Sequence, residues 1–173
     1  MGRAARPNDE KVIVIKFLFP LHLRFKFFCM NEFIRNVDIR WSDLDPNFHL
    51  RHSVYYDFGA FIRIAFFTSN GITPQLMTQY NIGPILFREE CVFKKEIHFE
   101  DKVIINIKLD KAKADHSRWT IVHEILKDDN ILAAMITVDG AWMDTQKRKL
   151  AMLPVIFNSA FEIIPRTENF KML

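Results

Sequence analysis

The feature that most constrains the fold is the order of the patterned segments, in which one long helical stretch precedes several β-patterned runs. Apolar residues recur at helical spacing at Val54, Tyr55, Phe58, Phe61, Ile62, Ala65 and Phe66. Four β-rich runs then follow without a helical pattern between the later ones. Neighbouring parallel strands need long crossover connections, usually helices, so a parallel doubly wound sheet is excluded. The pattern predicts an α+β domain in which one long helix packs against an antiparallel sheet of about five strands.

The strand predictions rest on alternation of apolar and polar residues, which is typical of a half-buried strand. Such alternation runs from Phe33 to Trp41, before the helix, and the later runs are 84–97, 103–109, 119–125 and 132–143. The last run is apolar at nearly every position, as expected for a central strand covered on both faces. His123 lies on a strand face and is predicted to be a hydrogen-bonded residue of the sheet rather than a catalyst.

Local signals mark the ends of the helix and of the domain. Ser53 is a suitable N-cap, and Ser69-Asn70-Gly71 provides a stop at the C-terminal end. The segment 42–51 breaks the alternation and is predicted to be a loop. A short helix is expected near Pro154, followed by a polar tail at residues 166–173.

Residues 1–29 are patterned differently from the remainder and are predicted to be an irregular extension. The run from Lys11 to Phe28 is interrupted by charged residues and a proline, whereas a membrane-spanning helix needs about 20 apolar residues with few charges. A secretory signal would fit the basic start, although no small-residue cleavage site follows; it stays open as the alternative. Regular patterning begins near Met30, so we expect the functional domain to comprise residues 30–165.

The net charge limits which partners are expected, and the cysteine content limits which cellular compartment is expected. The formal net charge is +3, which is too weak to predict a nucleic-acid partner without clustering of Lys and Arg on one face. The two cysteines, Cys29 and Cys91, lie far apart and lack metal-ligand spacing. Because neither supports a disulfide framework, we expect a cytoplasmic location.

One group of polar residues has the composition of an active site. Asp43, Asp45, His49 and His52 fall within ten residues, in the loop that leads into the long helix. A helix N-terminus offers unpaired N–H groups to a developing oxyanion, and a carboxylate beside it can act as base or nucleophile. From composition alone, two alternatives stay open: the carboxylates form turn hydrogen bonds, or the four residues bind a metal ion.

The stretch from Arg40 to Tyr56, Arg-Trp-Ser-Asp-Leu-Asp-Pro-Asn-Phe-His-Leu-Arg-His-Ser-Val-Tyr-Tyr, resembles the signature of the 4-hydroxybenzoyl-CoA thioesterase group of hotdog-fold enzymes. That group has Asp-x-Asp, then a His, then a Tyr at the start of the central helix. Phe93-Lys94-Lys95-Glu96-Ile97 also resembles part of its second strand. The resemblance, over about residues 33–150, implies a hotdog fold: a long central helix wrapped by a curved antiparallel sheet.

The resemblance also implies the activity and the site residues. The chain would be an acyl-CoA thioesterase, a thioester hydrolase that releases a carboxylic acid and free CoA without a metal or another cofactor. Asp45 matches the catalytic carboxylate, Asp43 would be mainly structural, and His49 and His52 match the histidines of two branches of the family. The predicted substrate contacts are Tyr55, Ser53 and Arg51. A homodimer or homotetramer is implied, with active sites at subunit interfaces.

Three other functions remain alternatives at this point. A hotdog module can bind acyl groups or scaffold an assembly without catalysis. The acyl carrier could be an acyl-carrier protein instead of CoA. A dehydratase or hydratase of the same fold is disfavoured, because that chemistry needs a different His-plus-acid arrangement, and the characteristic motif of those enzymes is not recognised in the sequence.

Overall fold

A computed structural model describes residues 32–173, so the predicted extension at 1–29 and the domain start at Met30 lie outside the described residues. The helices are α1 (His52–Ser69), α2 (Pro74–Gln79) and α3 (Asn158–Ile163), and short 3-10 turns occupy Trp41–Asp43 and Val155–Phe157. The strands are β1 (Ile34–Val37), β2 (Ile82–Phe93), β3 (Val103–Asn106), β4 (Lys108–Ala112), β5 (Arg118–Lys127), β6 (Ile131–Asp144), β7 (Lys149–Leu150) and β8 (Arg166–Met172).

The eight strands form one sheet that is five positions wide. Across the sheet the order is β2, β6, β5, then β3 with β4, then β1 with β8, because β5 pairs with β3 and β4 along different parts of its length. The short β7 pairs with β6 beyond the end of β5. All pairs are antiparallel except β4 with β8. The sheet curls around a helix, which confirms the predicted α+β hotdog fold.

The core lies between α1 and the concave face of the sheet. The helix buries one stripe of apolar side chains, comprising Val54, Tyr55, Phe58, Ile62, Phe66 and Phe67. Alternate residues of the central strands, such as Ile121 and Ile125 in β5 and Ile136 and Val138 in β6, are fully buried in the same cluster. Burying one such side chain contributes about 1.5–3 kcal/mol, so the apolar stripe holds α1, and the loop before it, against the sheet.

The helix boundaries differ from the prediction at the N-terminal end. The N-cap is Arg51, whose side chain makes no capping hydrogen bond, and Ser53 already lies inside α1. The predicted N-cap at Ser53 was therefore wrong by two residues. The predicted stop is confirmed: Asn70 caps the C-terminal end, and Gly71 follows with a positive φ of 85°, a conformation that costs glycine little.

Two segments pair in ways that local patterning did not indicate. The run 103–109 is divided into β3 and β4 at the buried Ile107. The expected polar tail at 166–173 instead contains β8, which pairs with β4, and Thr167 Oγ1 donates a 2.8 Å hydrogen bond to Asp110 Oδ1. A polar segment can form an edge strand because pairing satisfies its backbone groups without a buried side-chain face. Within residues 32–173, no helix has the length and apolarity needed to cross a membrane.

Candidate active site

The loop before α1 holds Asp45 through its own backbone. Oδ1 of Asp45 accepts hydrogen bonds from the backbone N–H groups of Asn47, at 2.8 Å, and His49, at 3.1 Å. The Asp45 N–H donates to the carbonyl oxygen of His49 at 2.8 Å, which closes the turn. Turn hydrogen bonds of this kind were one of the alternatives that the composition left open. They use only one of the two carboxylate oxygens of Asp45. Oδ2 has no hydrogen-bond partner among residues 32–173.

Both carboxylate oxygens of Asp43, two residues earlier, are hydrogen-bonded to Arg40. Its side chain is 1% exposed, and its two oxygens accept bonds of 2.9–3.1 Å from the backbone N–H and the guanidinium of Arg40. Hydrogen bonding to Arg40 is the largest cause that lowers the pKa of Asp43. Asp43 therefore anchors the loop, whereas Asp45 keeps an oxygen available to a ligand.

A pocket of about 570 Å³ opens beside this loop. Its lining comes from the loop, the first turn of α1 and the chain at the end of β2, and consists of Asp45, His49, Leu50, His52, Tyr55, Phe93, Lys94, Lys95 and Glu96. Four of the six predicted site residues, Asp45, His49, His52 and Tyr55, thus share one pocket. The other two, Arg51 and Ser53, are exposed and do not line it.

The first turn of α1 faces this pocket with unused hydrogen-bond donors. The first N–H groups of a helix have no partner further back in the helix. The N–H of Val54 donates to the carbonyl oxygen of Arg51 at 2.9 Å, whereas the side chain of Arg51, the N-cap residue, supplies no acceptor to the N–H groups of His52 and Ser53. His52 is the first residue of α1 and lines the pocket. The free N–H groups and the positive end of the helix dipole favour a developing negative charge at this position.

The apolar wall of the pocket is formed by Tyr55 and Phe93. Their rings meet edge to face with centroids 5.0 Å apart. Tyr55 is 3% exposed, and burial raises the pKa of its hydroxyl to about 12. Tyr55 is therefore both a core residue and a pocket residue, and it stays neutral at physiological pH.

The part of the pocket wall that follows Phe93 carries none of the predicted site residues. Phe93, Lys94, Lys95 and Glu96 leave the end of β2, and His98 lies just beyond them. The ring of His98 meets that of His49 edge to face, with centroids 4.8 Å apart. The sequence signal for this wall was the resemblance of residues 93–97 to the second strand of the family. That resemblance predicted a strand at 93–97 but did not predict that these residues lie next to the loop at Asp45.

A second polar cluster is buried under the middle of α1. Nδ1 of the fully buried His123 lies 3.0 Å from the carbonyl oxygen of Asn106, and Nε2 lies 3.2 Å from Nη1 of Arg63. Arg63 also forms an ion pair with Glu89, Nη2 to Oε1, at 3.0 Å, although Oε1 is not aligned for a directed hydrogen bond. Nδ1 must donate to the carbonyl, so Nε2 accepts from Arg63 and the ring is neutral. His123 is a hydrogen-bonded sheet residue, as predicted.

No cysteine of the described chain is placed to act as a nucleophile. Cys91, in β2, is a free thiol that is partly buried. Burial, and to a lesser degree the charge of Glu89, raise the pKa of this thiol to about 11. Since the thiolate is the reactive form, the raised pKa disfavours Cys91 as a nucleophile at neutral pH.

The fold agrees with that of several solved structures. A Staphylococcus aureus protein solved in complex with CoA superposes with a TM-score of 0.72 at 15% identity, over 83% of this chain and 89% of that one. A 1,4-dihydroxy-2-naphthoyl-CoA thioesterase from Synechocystis gives 0.67 at 18% identity, over 75% and 94%. A Thermus thermophilus thioesterase solved with coenzyme A and zinc gives 0.62 at 20% identity, over 73% and 89%. At these identities the likeness establishes the fold.

The family assignment comes from the sequence itself. No curated protein matches the sequence significantly. The family model of the thioesterase-like superfamily matches residues 39–161, which include the loop at Asp45, all of α1 and the strands β2 to β7. This match spans more than half of the chain and confirms the resemblance inferred from the motif. The chain therefore belongs to the thioesterase-like superfamily and is a thioester hydrolase of the hotdog fold.

Proposed function

We propose that the protein hydrolyses an acyl-CoA thioester to a carboxylic acid and free CoA, with Asp45 as the catalytic carboxylate. The observation that carries the proposal is the convergence of Asp45, His49 and His52 on one pocket at the N-terminal end of α1. A carboxylate, two imidazoles and free helix N–H groups are the components that thioester hydrolysis needs.

The proposed chemistry follows from the unequal use of the two oxygens of Asp45. Oδ1 is held by backbone N–H groups, which orients the carboxylate, and Oδ2 either removes a proton from water or attacks the thioester carbonyl carbon itself. In the first route, the hydroxide adds to the carbonyl carbon, the carbon–sulfur bond breaks, and the CoA thiolate takes up the proton that Asp45 removed from water. In the second route, the CoA thiolate leaves as Oδ2 bonds to the carbonyl carbon, and water then hydrolyses the mixed anhydride, which releases the carboxylic acid and restores Asp45. The N–H groups at the start of α1 would stabilise the oxyanion that forms on the carbonyl oxygen. His49 and His52 would orient the water or the substrate.

Two features support CoA as the carrier. Neighbouring structures from Staphylococcus aureus and Thermus thermophilus were solved with CoA, and Lys94 and Lys95 place two positive charges on the pocket wall, where phosphate groups would bind. Tyr55 and Phe93 would contact the start of the acyl group. Arg51 and Ser53 stay proposed substrate contacts outside the pocket, since both are exposed beside His52.

A panel of acyl-CoA esters with detection of the released thiol tests this function. We expect turnover of at least one ester, and Lys95→Ala should raise KM for that ester, whereas Lys147→Ala, in an exposed hairpin outside the pocket lining, should leave KM unchanged. Binding of acyl-CoA without thiol release would favour a non-catalytic acyl-binding module. Turnover of acyl groups on an acyl-carrier protein but not on CoA would replace the proposed carrier.

The assembly we propose is a homodimer that pairs along β2, or a homotetramer built from two such dimers. Among residues 32–173, β2 has only β6 as a neighbour, so the other edge of this 12-residue strand is open. It carries the exposed side chains Leu86, Phe87, Val92 and Phe93. A long apolar edge of this kind is normally covered, and the pocket at Phe93 would then lie next to the second subunit. Sedimentation of a fully active monomer would contradict this assembly.

The domain limits and the compartment also remain proposals. We propose that residues 30–165 contain the catalytic unit and that the protein is cytoplasmic, as the cysteine pattern predicts. Because β8 pairs with β4, a shortened protein that starts at Met30 should retain residues 166–173. Activity and thermal melting of that shortened protein measure whether residues 1–29 are needed.

A further inference from the structure

Two histidines and a glutamate meet where the loop before α1 contacts the chain beyond β2. His49 and His98 form an isolated antiparallel bridge, and the N–H of Leu50 donates a 2.7 Å hydrogen bond to the carbonyl oxygen of Ile97. These backbone contacts bring together two segments that are far apart in sequence. One potential ligand atom each from His49, Glu96 and His98 lies within 4.8 Å of the other two.

The three side chains are free to converge further. None of them makes a hydrogen bond to another group within the described part of the chain. Tetrahedral zinc, with ligand bonds of about 2.0–2.1 Å, places its ligand atoms about 3.3 Å apart, so each side chain must shift by roughly an ångström. Glu96 and His98 are exposed and His49 is half-buried, so small rotations bring the three ligand atoms to this spacing without disturbing the core.

A carboxylate whose charge is paired with Lys127 lies beside the ring of His98. Oδ2 of Asp101 accepts a 2.9 Å hydrogen bond from the backbone N–H of His98 and lies 3.8 Å from Nδ1 of its ring. Lys127 holds that same oxygen at 2.7 Å. Asp101 is therefore a fixed carboxylate beside the cluster, and carboxylates commonly orient the histidine ligands of metal sites.

We propose that His49, Glu96 and His98 bind a divalent cation of the zinc class, with the remaining coordination position open to water. Two imidazoles and one carboxylate form a donor set that suits Zn²⁺, whereas Mg²⁺ and Ca²⁺ prefer oxygen ligands throughout. This ligand set differs from the metal site that the composition left open, which comprised Asp43, Asp45, His49 and His52. Asp43 is committed to Arg40, and neither Asp45 nor His52 belongs to the cluster.

The metal site and the proposed hydrolysis can be tested separately. Zinc binding is measured without substrate, by titration of the metal-stripped full chain against a chromophoric chelator. The wild type should bind one zinc ion per chain. His98→Ala should raise the dissociation constant at least about tenfold, the loss that removal of a mere supporting residue of a metal site already produces. Asp45→Asn should bind zinc as the wild type does, whatever its effect on thioester hydrolysis.

Matched variants distinguish this site from the other histidines and acids. His52→Ala removes a pocket histidine three residues from His49 and should keep the wild-type affinity, and Glu100→Gln is the corresponding control for Glu96→Gln. Circular dichroism checks that each variant is folded. Absence of stoichiometric zinc binding, or equal affinity of the wild type and folded His98→Ala, would overturn the proposal. An equal loss in His52→Ala and His98→Ala would overturn the assigned ligand set.

Discussion

Helix α1 borders two groups of histidine and carboxylate side chains that differ in how many of their polar atoms are already used. Under the middle of the helix, both ring nitrogens of His123 are engaged, and Arg63 pairs with Glu89. At its N-terminal end, Oδ2 of Asp45 and the rings of His49 and His52 have no hydrogen-bond partner within residues 32–173. The residue types are similar, but the polar atoms of the first group already have partners, whereas those of the second group are available to a ligand.

The difference teaches that residue type alone does not identify an active site in this fold. Burial, followed by the charge of Arg63, lowers the pKa of His123 to about 3, so this histidine is uncharged at neutral pH and joins two core elements instead. The pocket residues keep access to solvent and free lone pairs, which acid–base chemistry requires. Each of the following predictions perturbs one of the two groups and compares stability with activity, from the largest expected effect to the smallest.

Loss of Arg63 should have the largest effect, and the effect should be on stability. Arg63→Met leaves the half-buried Glu89 without its cation and His123 Nε2 without its donor. Breaking a buried ion pair in this way costs about 3–5 kcal/mol, to be measured by urea unfolding. Arg88→Met is the control, since the pairs of Arg88 with Glu90 and Asp139 are exposed, and it should cost about 0–1 kcal/mol. Equal costs for the two variants would contradict a structural role for the buried cluster.

Replacement of Asp45 should lower the activity strongly and the stability little, which is the opposite of the result expected for Arg63. Asp45→Asn keeps the size of the side chain and its turn hydrogen bonds but removes the charge, so kcat should fall about a hundredfold or more while the melting temperature changes little. Asp43→Asn should do the opposite, with a smaller loss of kcat and a lower melting temperature, because Asp43 is buried against Arg40. A folded Asp45→Asn protein with wild-type kcat would remove Asp45 from the mechanism.

The buried histidine should make stability depend on pH. The pKa of His123 is about 3 in the folded chain and about 6.5 in the unfolded chain, so below pH 6.5 only the unfolded chain binds this proton. The free energy of unfolding should therefore decrease as the pH falls from 6.5 to 5, by about 1.5 kcal/mol from this residue. The pKa of His116 is also lowered by burial and acts in the same direction.

Urea unfolding of the wild type and His123→Gln at both pH values isolates the contribution of His123. The variant should be less stable than the wild type at pH 6.5 but should lose less stability on acidification. Parallel pH profiles for the two proteins would show that His123 is not the group that titrates.

The pocket histidines should give the smallest effect, and it should be confined to activity. His49→Ala and His52→Ala remove orienting groups, so each should lower kcat about tenfold, equivalent to about 1.4 kcal/mol of transition-state stabilisation. His116→Ala is the control, because its ring packs against Phe161, outside the pocket lining, and kcat of the folded variant should be unchanged. Unchanged kcat in both pocket variants would leave Asp45 without the proposed orienting partners.

Much of the fold and part of the pocket were predictable because they depend on local pattern. Five of the seven apolar positions predicted from Val54 to Phe66 lie on the buried face of α1, since a period of 3.6 residues reveals the side of a helix that meets the core. Phe61 is exposed and Ala65 is half-buried. The Asp-x-Asp motif located the carboxylate that lines the pocket. The position of His123 on a strand face predicted its burial.

Only the tertiary structure decided which distant segments meet at the pocket. The sequence predicted a strand through residue 97, whereas β2 ends at Phe93. The chain beyond it brings Lys94, Lys95 and Glu96 to the pocket of Asp45 and His98 against His49. The pairing of β8 with β4 was hidden for the same reason. Alternation of side chains specifies which face of a strand is buried, whereas the partner and register of each strand depend on contacts between residues far apart in the chain. The sequence by itself determined the fold class and the position of the loop at Asp45, and contacts between distant segments completed the pocket.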